Sequence, residues 1–496
     1  MTVDVRTDVR ELRHWIDGAS IGEPSIERLS PATNRLIAVV ADATQADVDA
    51  AVAAANRAFG TASWQQTTHT DRASLLERFA DAIDLEIPTL AYFDSQEVGK
   101  PLAFAEGDLR AGVAHIRQAA AVARTFTGEQ FPGVAHGYLA MSQRRPAGVA
   151  AIIIPWNFPA LILFQKLPYA LAAGCTVVVK PSELTTSSAL RIAEIAHSVG
   201  FPSGTINVVT GYGHTAGQML SSHAGINYVS FTGSTRTGRL VAQAAGKNLT
   251  RAGLELGGKT ANVVFPDANL TEAIRGTVFG AFANQGESCV ATSRLLLHES
   301  IAETFVDGVV EATERLRVGL PDDPTSDLGS LIHHGHRDQV ARAVTDAVAA
   351  GARVRTGGGR PQSSQLDAGA FYEPTVVVDV DPESALFTEE VFGPVLAVTT
   401  FETEEEAIEM TNATRYGLAH SLWTQDLNRA LRVGQRLEAG TVWVNTCSDG
   451  SPQVAFGGVK ASGYGRDAAS EGFNEFTEYC TMHVRSSVRS SPFDHE

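Results

Sequence analysis

Between residues 149 and 231 the chain carries four short apolar runs, VAAIII, TVVVK, INVVT and NYVSF, each separated from the next by a longer stretch with helical spacing. No other feature restricts the fold as much. A strand that is apolar on both faces must be covered on both faces. The segments between the runs, at about 160–173, 186–199 and 214–221, read as the helices that cover them. Right-handed crossovers then make the sheet doubly wound and parallel. A second alternating region extends from about Ala261 to Val444, with strands expected at ANVVF, RLLLH, VLAVTTF and TVWVN. The fold class is therefore α/β, in two α/β domains, and 496 residues are enough to bury both cores.

Upstream of this region, short strand-like runs extend to about Val40. Thr44 then opens a T-x-x-D capping signal ahead of the Ala-rich helical segment DVDAAVAAANRAF. Further helices are expected over Arg72–Ile83 and Leu109–Arg124. The tail from Phe473, FNEFTEYCTMHVR, alternates apolar and polar residues and reads as an exposed strand that needs a partner. With 39 Lys and Arg against 56 Asp and Glu, the net charge of −17 argues against nucleic acid and anionic membranes as partners. The apolar run at Val149–Ile154 stops at Pro155, too short to span a bilayer. Four cysteines (Cys175, Cys289, Cys447 and Cys480) form no CxxC pair, so neither a metal site nor a disulfide framework is expected. The polar N-terminus lacks the apolar core of a signal peptide, and the expected location is cytoplasmic.

Five segments carry chemistry, each with a plainer alternative. Pro155-Trp156-Asn157-Phe158-Pro159 follows a strand and makes a rigid turn at the sheet edge where α/β folds bind ligands; it also reads as a packed Pro-rich turn. Lys180-Pro181-Ser182-Glu183 again follows a strand. Its Lys and Glu can hydrogen-bond a ribose, and Glu183 would repel a 2′-phosphate, favouring NAD over NADP; the alternative is a solvated loop. Phe231-Thr232-Gly233-Ser234 precedes a helix, where Gly233 lets backbone approach a phosphate, although capped strand–helix turns are common. In Glu255-Leu256-Gly257-Gly258-Lys259 a carboxylate precedes a glycine pair that permits close approach of a ligand. In Asn284-Gln285-Gly286-Glu287-Ser288-Cys289 a thiol lies beyond a glycine turn and becomes a nucleophile if a base or a helix N-terminus activates it; otherwise it is an inert buried residue. His333, His334 and His336, the densest histidine group, read as a solvated loop.

Taken together and in order, PWNFP, KPSE, FTGS, ELGGK, NQGxxC, EEVFGP at 389–394 and FGGxKxSGxGR at 456–466 resemble the aldehyde dehydrogenase superfamily, as does the spacing of 34 residues between Glu255 and Cys289. The resemblance covers about residues 20 to 480. It implies a Rossmann-like NAD-binding domain (1–125 and 147–254), an α/β catalytic domain (255–455) and a small β oligomerisation region (126–146 and 473–490).

By the same resemblance Cys289 is the nucleophile that forms a thiohemiacetal and then a thioester. Asn157 and the Cys289 N–H hold the oxyanion, and Glu255 activates the hydrolytic water. Trp156, Lys180, Ser182, Glu183, Gly233, Ser234, Gly257, Glu390 and Phe392 form the site for NAD, with NADP less favoured, and no metal is implied. The implied partners are a small-molecule aldehyde and further copies of the chain, as a homodimer or homotetramer. A CoA-acylating semialdehyde dehydrogenase and a non-catalytic protein on the same scaffold are the alternatives. Glu255 argues against the first, and the presence of Cys289, Glu255 and Asn157 against the second. The chain departs from the family pattern at Ala455, where many members have Pro, and at Asp467 with the following AAS. It departs again at Gln165, where several members place an aromatic in the substrate tunnel. Gly107 and Ala111 are small residues on a helix that would line that tunnel, and Asp449 lies in the loop Cys447–Val454 at its mouth.

Overall fold

The computed structural model describes residues 9–486. Of the expected domain ranges, residues 1–8 and 487–490 lie outside the described residues.

Five parallel strands form the heart of an eight-stranded sheet, in the spatial order Ile206–Val208, Thr176–Lys180, Val149–Ile153, Tyr228–Thr232 and Arg251–Glu255. Every residue of Val149–Ile153, Thr176–Lys180 and Tyr228–Thr232 is buried, because helices cover both faces. That burial explains the unbroken apolar runs. In chain order the strands lie third, second, first, fourth, fifth, so the winding direction reverses between Val149–Ile153 and Tyr228–Thr232. The crevice beyond the carboxyl ends of those two strands is where such a sheet takes a ligand. One edge is extended by His14–Ile16 and Ala19–Ile21, and the other by Gly463–Tyr464, which pairs antiparallel with Leu254 and Glu255.

A seven-stranded sheet follows, in the order Arg353–Thr356, Thr375–Val378, Val395–Phe401, Arg294–His298, Ala261–Val264, Ala419–Trp423 and Thr441–Val444; only the first strand runs antiparallel to its neighbour. The α/β class is thus confirmed. Two small sheets complete the described residues. Arg10–Leu12, Leu36–Ala41 and Pro24–Leu29 form one, and Thr477–Arg485, Tyr138–Pro146 and Glu129–Ala135 form the other. Among the described residues no helix is long and apolar enough to cross a membrane.

Local signals explain most helix boundaries. Thr44 accepts a hydrogen bond from the Asp47 N–H and Asp47 returns one from the Thr44 N–H, so the capping box opens the helix Gln45–Gly60 as expected. Three expectations need correction. The helix expected over Arg72–Ile83 runs from His69 to Val98, through Pro88, because Ile87, Leu90 and Ala91 continue its buried stripe. The helix expected over Leu109–Arg124 begins at Leu102. The tail is not a strand from Phe473. Ala469–Glu475 is helical, and Phe473 and Phe476, three apart, both turn into the core, Phe473 against Phe126 with ring centroids 4.5 Å apart. The strand proper, Thr477–Arg485, pairs antiparallel with Tyr138–Pro146 of the same chain.

Candidate active site

The chemistry-bearing turns gather around the reversal point of the eight-stranded sheet. Asn157 leaves the end of Val149–Ile153 just before the helix Pro159–Ala173, whose first position is a proline with φ already helical. Its side chain is buried. The amide donates to the Glu287 carbonyl (3.0 Å), and the Asn157 carbonyl accepts from the Asn284 amide (3.2 Å). Asn157 is thereby tied to the loop that carries Cys289.

That loop leaves the helix Leu270–Phe282 through three consecutive left-handed residues, Asn284 (φ 52°), Gln285 (φ 57°) and Gly286 (φ 68°). Two of the three carry side chains, so the turn is strained and needs anchors. Gln285 supplies one by accepting from the Gly329 N–H (3.1 Å), and Glu287 another by accepting from the Ile332 N–H (2.9 Å). Only glycine fits at 286, because a Cβ there would sit 2.3 Å from the Gly393 carbonyl oxygen. Burial, then Glu390 and Glu255, push the Cys289 thiol up to about 12, so the resting sulfur is protonated. A nucleophilic sulfur at this position requires a proton acceptor nearby.

Glu255 ends the strand Arg251–Glu255. It is buried, and both carboxyl oxygens lack a partner. Burial drives its proton affinity well above the ordinary carboxylate range; Asp467 adds to this, and Lys166 and Arg466 oppose it. A Cβ at Gly457 would stand 2.7 Å from its Oε1, and one at Gly258 would stand 2.3 Å from the Cys289 carbonyl oxygen. Gly457 therefore leaves room for the Glu255 carboxyl, and Gly258 lets the turn after Glu255 close on the backbone of the thiol loop. Beneath them lies a pair that the sequence reading did not single out. Lys166 Nζ is 2.5 Å from Asp467 Oδ2, with both side chains buried. The signal was one lysine inside the apolar helix PALILFQKLPYALAA. Asp467 leads into Ala468 (φ 63°, ψ 176°) and Ala469 (φ 53°), two alanines in glycine-like backbone.

The remaining candidates line the neighbouring strand ends. Lys180 closes Thr176–Lys180 with its ammonium 3.4 Å from Glu183, and the Ser182 hydroxyl accepts from the Leu184 N–H (3.2 Å). Ser234 caps the helix Thr235–Lys247 by accepting from the Thr237 N–H (3.2 Å). The Gly233 N–H donates to the Glu255 carbonyl (3.0 Å). Glu390 Oε1 accepts from the Gly258 N–H (3.0 Å), and a side chain at Gly257 would collide with Glu390, whose carboxyl burial raises to about 7. Phe392 has φ 58° and meets the partly exposed Trp156 edge-on, centroids 5.4 Å apart.

The expectation of a solvated histidine loop is corrected here. His333 caps the helix His334–Ala349, and His336 is a mostly covered ring beside Trp156, Phe392 and Glu287. The spacing H-x-x-H was a capping signal, obscured by the unusual cap residue. Two of the other thiols are buried and bonded to carbonyls, Cys175 to that of Phe476 and Cys447 to that of Gly276, and burial raises both to about 11. Cys480 lies partly exposed on Thr477–Arg485.

A profile of the Aldehyde dehydrogenase family matches residues 15–482. The chain is 40% identical over 480 residues to the NADP/NAD-dependent aldehyde dehydrogenase PuuC of Escherichia coli (strain K12), covering 96% of each protein. It is 39% identical over 486 residues to the 2-hydroxymuconic semialdehyde dehydrogenase of Pseudomonas sp. (strain CF600), covering 96% of this chain and 100% of that one. Among solved structures, a putative aldehyde dehydrogenase from Burkholderia cenocepacia superimposes with a TM-score of 0.96 at 42% identity, over 98% of this chain and 99% of that one. The betaine aldehyde dehydrogenase of Staphylococcus aureus in complex with NAD+ gives 0.95 at 33% identity, over 98% and 97%.

Proposed function

The chain belongs to the aldehyde dehydrogenase family, and from that premise we propose that it oxidises an aldehyde to the carboxylic acid with NAD, using Cys289 as nucleophile, Asn157 as oxyanion donor and Glu255 as the base for water.

The residues present fit NAD. The thirteen-residue helix Thr235–Lys247 turns its N-terminus toward the reversal crevice, and its first-turn N–H groups suit a pyrophosphate. Because the Ser234 hydroxyl is engaged in the cap, those backbone groups and the approach past Gly233 carry that contact. Lys180 and Glu183, with Ser182 fixing their turn, suit the adenosine ribose. Glu390, held by Gly258 above the space left by Gly257, suits the nicotinamide ribose beside Trp156 and Phe392. When bound, NAD supplies the hydride acceptor.

The protein's own groups divide the rest. The thiol must lose its proton before its sulfur adds to the aldehyde carbon. The oxygen that becomes anionic is met by the second N–H of the Asn157 amide and by the Cys289 backbone N–H. Loss of hydride from the thiohemiacetal leaves a thioester on Cys289. Glu255 then takes a proton from water, hydroxide adds to the thioester carbonyl, and the thiol departs with the acid released. The observation that carries this reading is the buried, unpartnered Glu255 carboxyl on the turn whose Gly258 rests against the backbone of Cys289. The subunits are proposed to associate as dimers or tetramers through the sheet of Thr477–Arg485, Tyr138–Pro146 and Glu129–Ala135. That sheet exposes Phe131, Val134, Tyr479, Met482 and Val484.

Mass spectrometry of products from an aldehyde panel with NAD, with and without CoA, tests the reaction. Free acid without CoA is expected. An acyl-CoA formed only when CoA is present would replace the hydrolytic reading, and no oxidised product from any aldehyde would remove it.

A further inference from the structure

We propose that His336 is a positioning residue for the cofactor: by donating to the Phe392 carbonyl it holds the loop carrying Glu390 and Phe392 against the nucleophile's loop. The inference rests on the reading that these loops receive NAD.

His336 lies in the first turn of the helix His334–Ala349, with its backbone N–H accepted by His333 Nδ1 at 2.9 Å. That cap fixes where the ring emerges. His336 Nε2 is 2.7 Å from the Phe392 carbonyl oxygen. A carbonyl only accepts, so Nε2 carries the proton. The ring is 12% exposed, and burial keeps its proton affinity below the ordinary histidine range, so it acts as a neutral donor near pH 7. The same Nε2 is 3.7 Å from Glu287 Oε1, which accepts the Ile332 N–H. The Glu287 carbonyl in turn accepts from Asn157. His336 therefore stands where the oxyanion donor's loop, the thiol's loop and the nicotinamide-ribose loop meet.

The held loop needs holding. Phe392 has φ 58°, a conformation that is costly for an aromatic residue and that persists only where the surroundings impose it. Its neighbour Gly393 is in backbone contact with Gly286 of the strained cysteine turn. The Phe392 ring packs edge-on against Trp156 (5.4 Å), and the His336 ring stands 6.0 Å from Trp156. Removing the donor leaves the carbonyl of a strained residue without this partner, and the loop can relax toward φ below zero. Phe392 and Glu390 would then move together. The cost falls on cofactor binding before it falls on bond making at Cys289.

The test compares His336→Ala with His336→Gln, whose longer amide can still donate to the Phe392 carbonyl. NADH affinity is read by fluorescence titration without aldehyde, alongside KM for NAD, kcat and the thermal midpoint. His336→Ala should weaken NADH binding about tenfold, as expected for the loss of a partly buried hydrogen bond. KM for NAD should rise with it and kcat should change less. His336→Gln should restore NADH affinity to within about twofold of wild type. Unchanged NADH affinity in His336→Ala, or a His336→Gln variant as weak as His336→Ala, overturns the inference. If His336→Ala does not fold, His336→Asn, too short to reach, replaces it with the same criteria. Wild-type protein that binds no NADH would instead overturn the NAD reading beneath the inference.

Discussion

The two sides of the reversal crevice are built on opposite terms. At the strand ends carrying Lys180, Ser182, Glu183 and Ser234, polar groups satisfy one another: the ammonium meets the Glu183 carboxylate, and both hydroxyls accept backbone N–H groups. None of these four residues has a positive φ. Around Cys289 the reverse holds. Glu255 has two unpartnered buried oxygens, Asn284 and Glu287 one each, and Asn284, Gln285, Phe392, Ala468 and Ala469 all have positive φ. Unmet hydrogen-bond capacity and strained backbone cost stability, and they persist where the surroundings enforce them. The comparison teaches that Lys180, Ser182, Glu183 and Ser234 hold one another's turns in place, whereas Glu255 and the turns beside Cys289 keep unmet hydrogen-bond capacity and strained backbone.

The sharpest way to break this contrast is at the thiol. Cys289→Ser should lower turnover by at least about a thousandfold, because a hydroxyl is a far poorer nucleophile, and should leave NADH affinity nearly unchanged. A variant that keeps a tenth of wild-type turnover would remove the nucleophile from Cys289. Glu255→Gln comes next. An amide cannot take a proton from water, so steady-state turnover should fall by about a hundredfold or more, while a burst of at most about one NADH per site remains, with the thioester visible by intact mass. If burst and turnover both vanish while NADH still binds, Glu255 belongs to the acylation step.

The same contrast sets a pH dependence. A base works only when ionised, and burial raises Glu255 well above the ordinary carboxylate range. The active form therefore grows as pH climbs toward that raised value. The Cys289 thiol, pushed up to about 12, acts in the same direction. Single-turnover rates should climb between about pH 7 and 9, by at most about tenfold per unit for each ionisation. A rate that is flat or falling over that range contradicts the assignment. On the proposed placement of the adenosine ribose at Lys180 and Glu183, Glu183→Gln should narrow the preference for NAD over NADP by about tenfold, because it would remove the anion opposing a 2′-phosphate. Equal kcat/KM for both cofactors in the wild type would deny Glu183 that role.

Legibility in the sequence follows the same division. The strands Val149–Ile153 and Thr176–Lys180 were readable because burial on both faces writes itself as unbroken Val, Ile and Ala. Ala419–Trp423 was not, since its AHSLW carries a histidine and a serine whose burial is secured by specific bonds, among them His420 Nδ1 accepting the Ala261 N–H at 3.1 Å. The helix expected to end at Ile83 continues through Pro88, because tertiary burial of Ile87 and Leu90 overrides the break that a proline ordinarily makes. At the site, the turns were visible as motifs, and their roles came from resemblance. Lys166 carries no motif, and His336 reads with His333 and His334 as a solvated loop, because each is bonded to a residue distant in sequence, Asp467 in one case and Phe392 in the other, and no periodicity reports such a pairing.

The smallest expected effect lies in the strained segment behind the Lys166–Asp467 pair. Ala468, at φ 63° and ψ 176°, occupies a region essentially reserved for glycine, and Ala469 follows at φ 53°. A glycine at 468 adopts that backbone without the Cβ penalty, although it gives the unfolded chain more freedom to lose. The strain, about 1–3 kcal/mol, exceeds the unfolded-state cost of under about 1 kcal/mol, so Ala468→Gly should stabilise the protein. The matched change at the cofactor edge, Ser182→Gly, relieves no positive φ and removes the hydroxyl that accepts the Leu184 N–H, so it should destabilise. Chemical denaturation midpoints of the two variants against wild type check the pair. Opposite signs support a strained centre beside a relaxed edge. A destabilised Ala468→Gly would show that the Ala468 Cβ packs well enough to outweigh the strain, and the contrast between the two sides would then rest on the unpartnered polar atoms and on the turns at Asn284, Gln285 and Phe392.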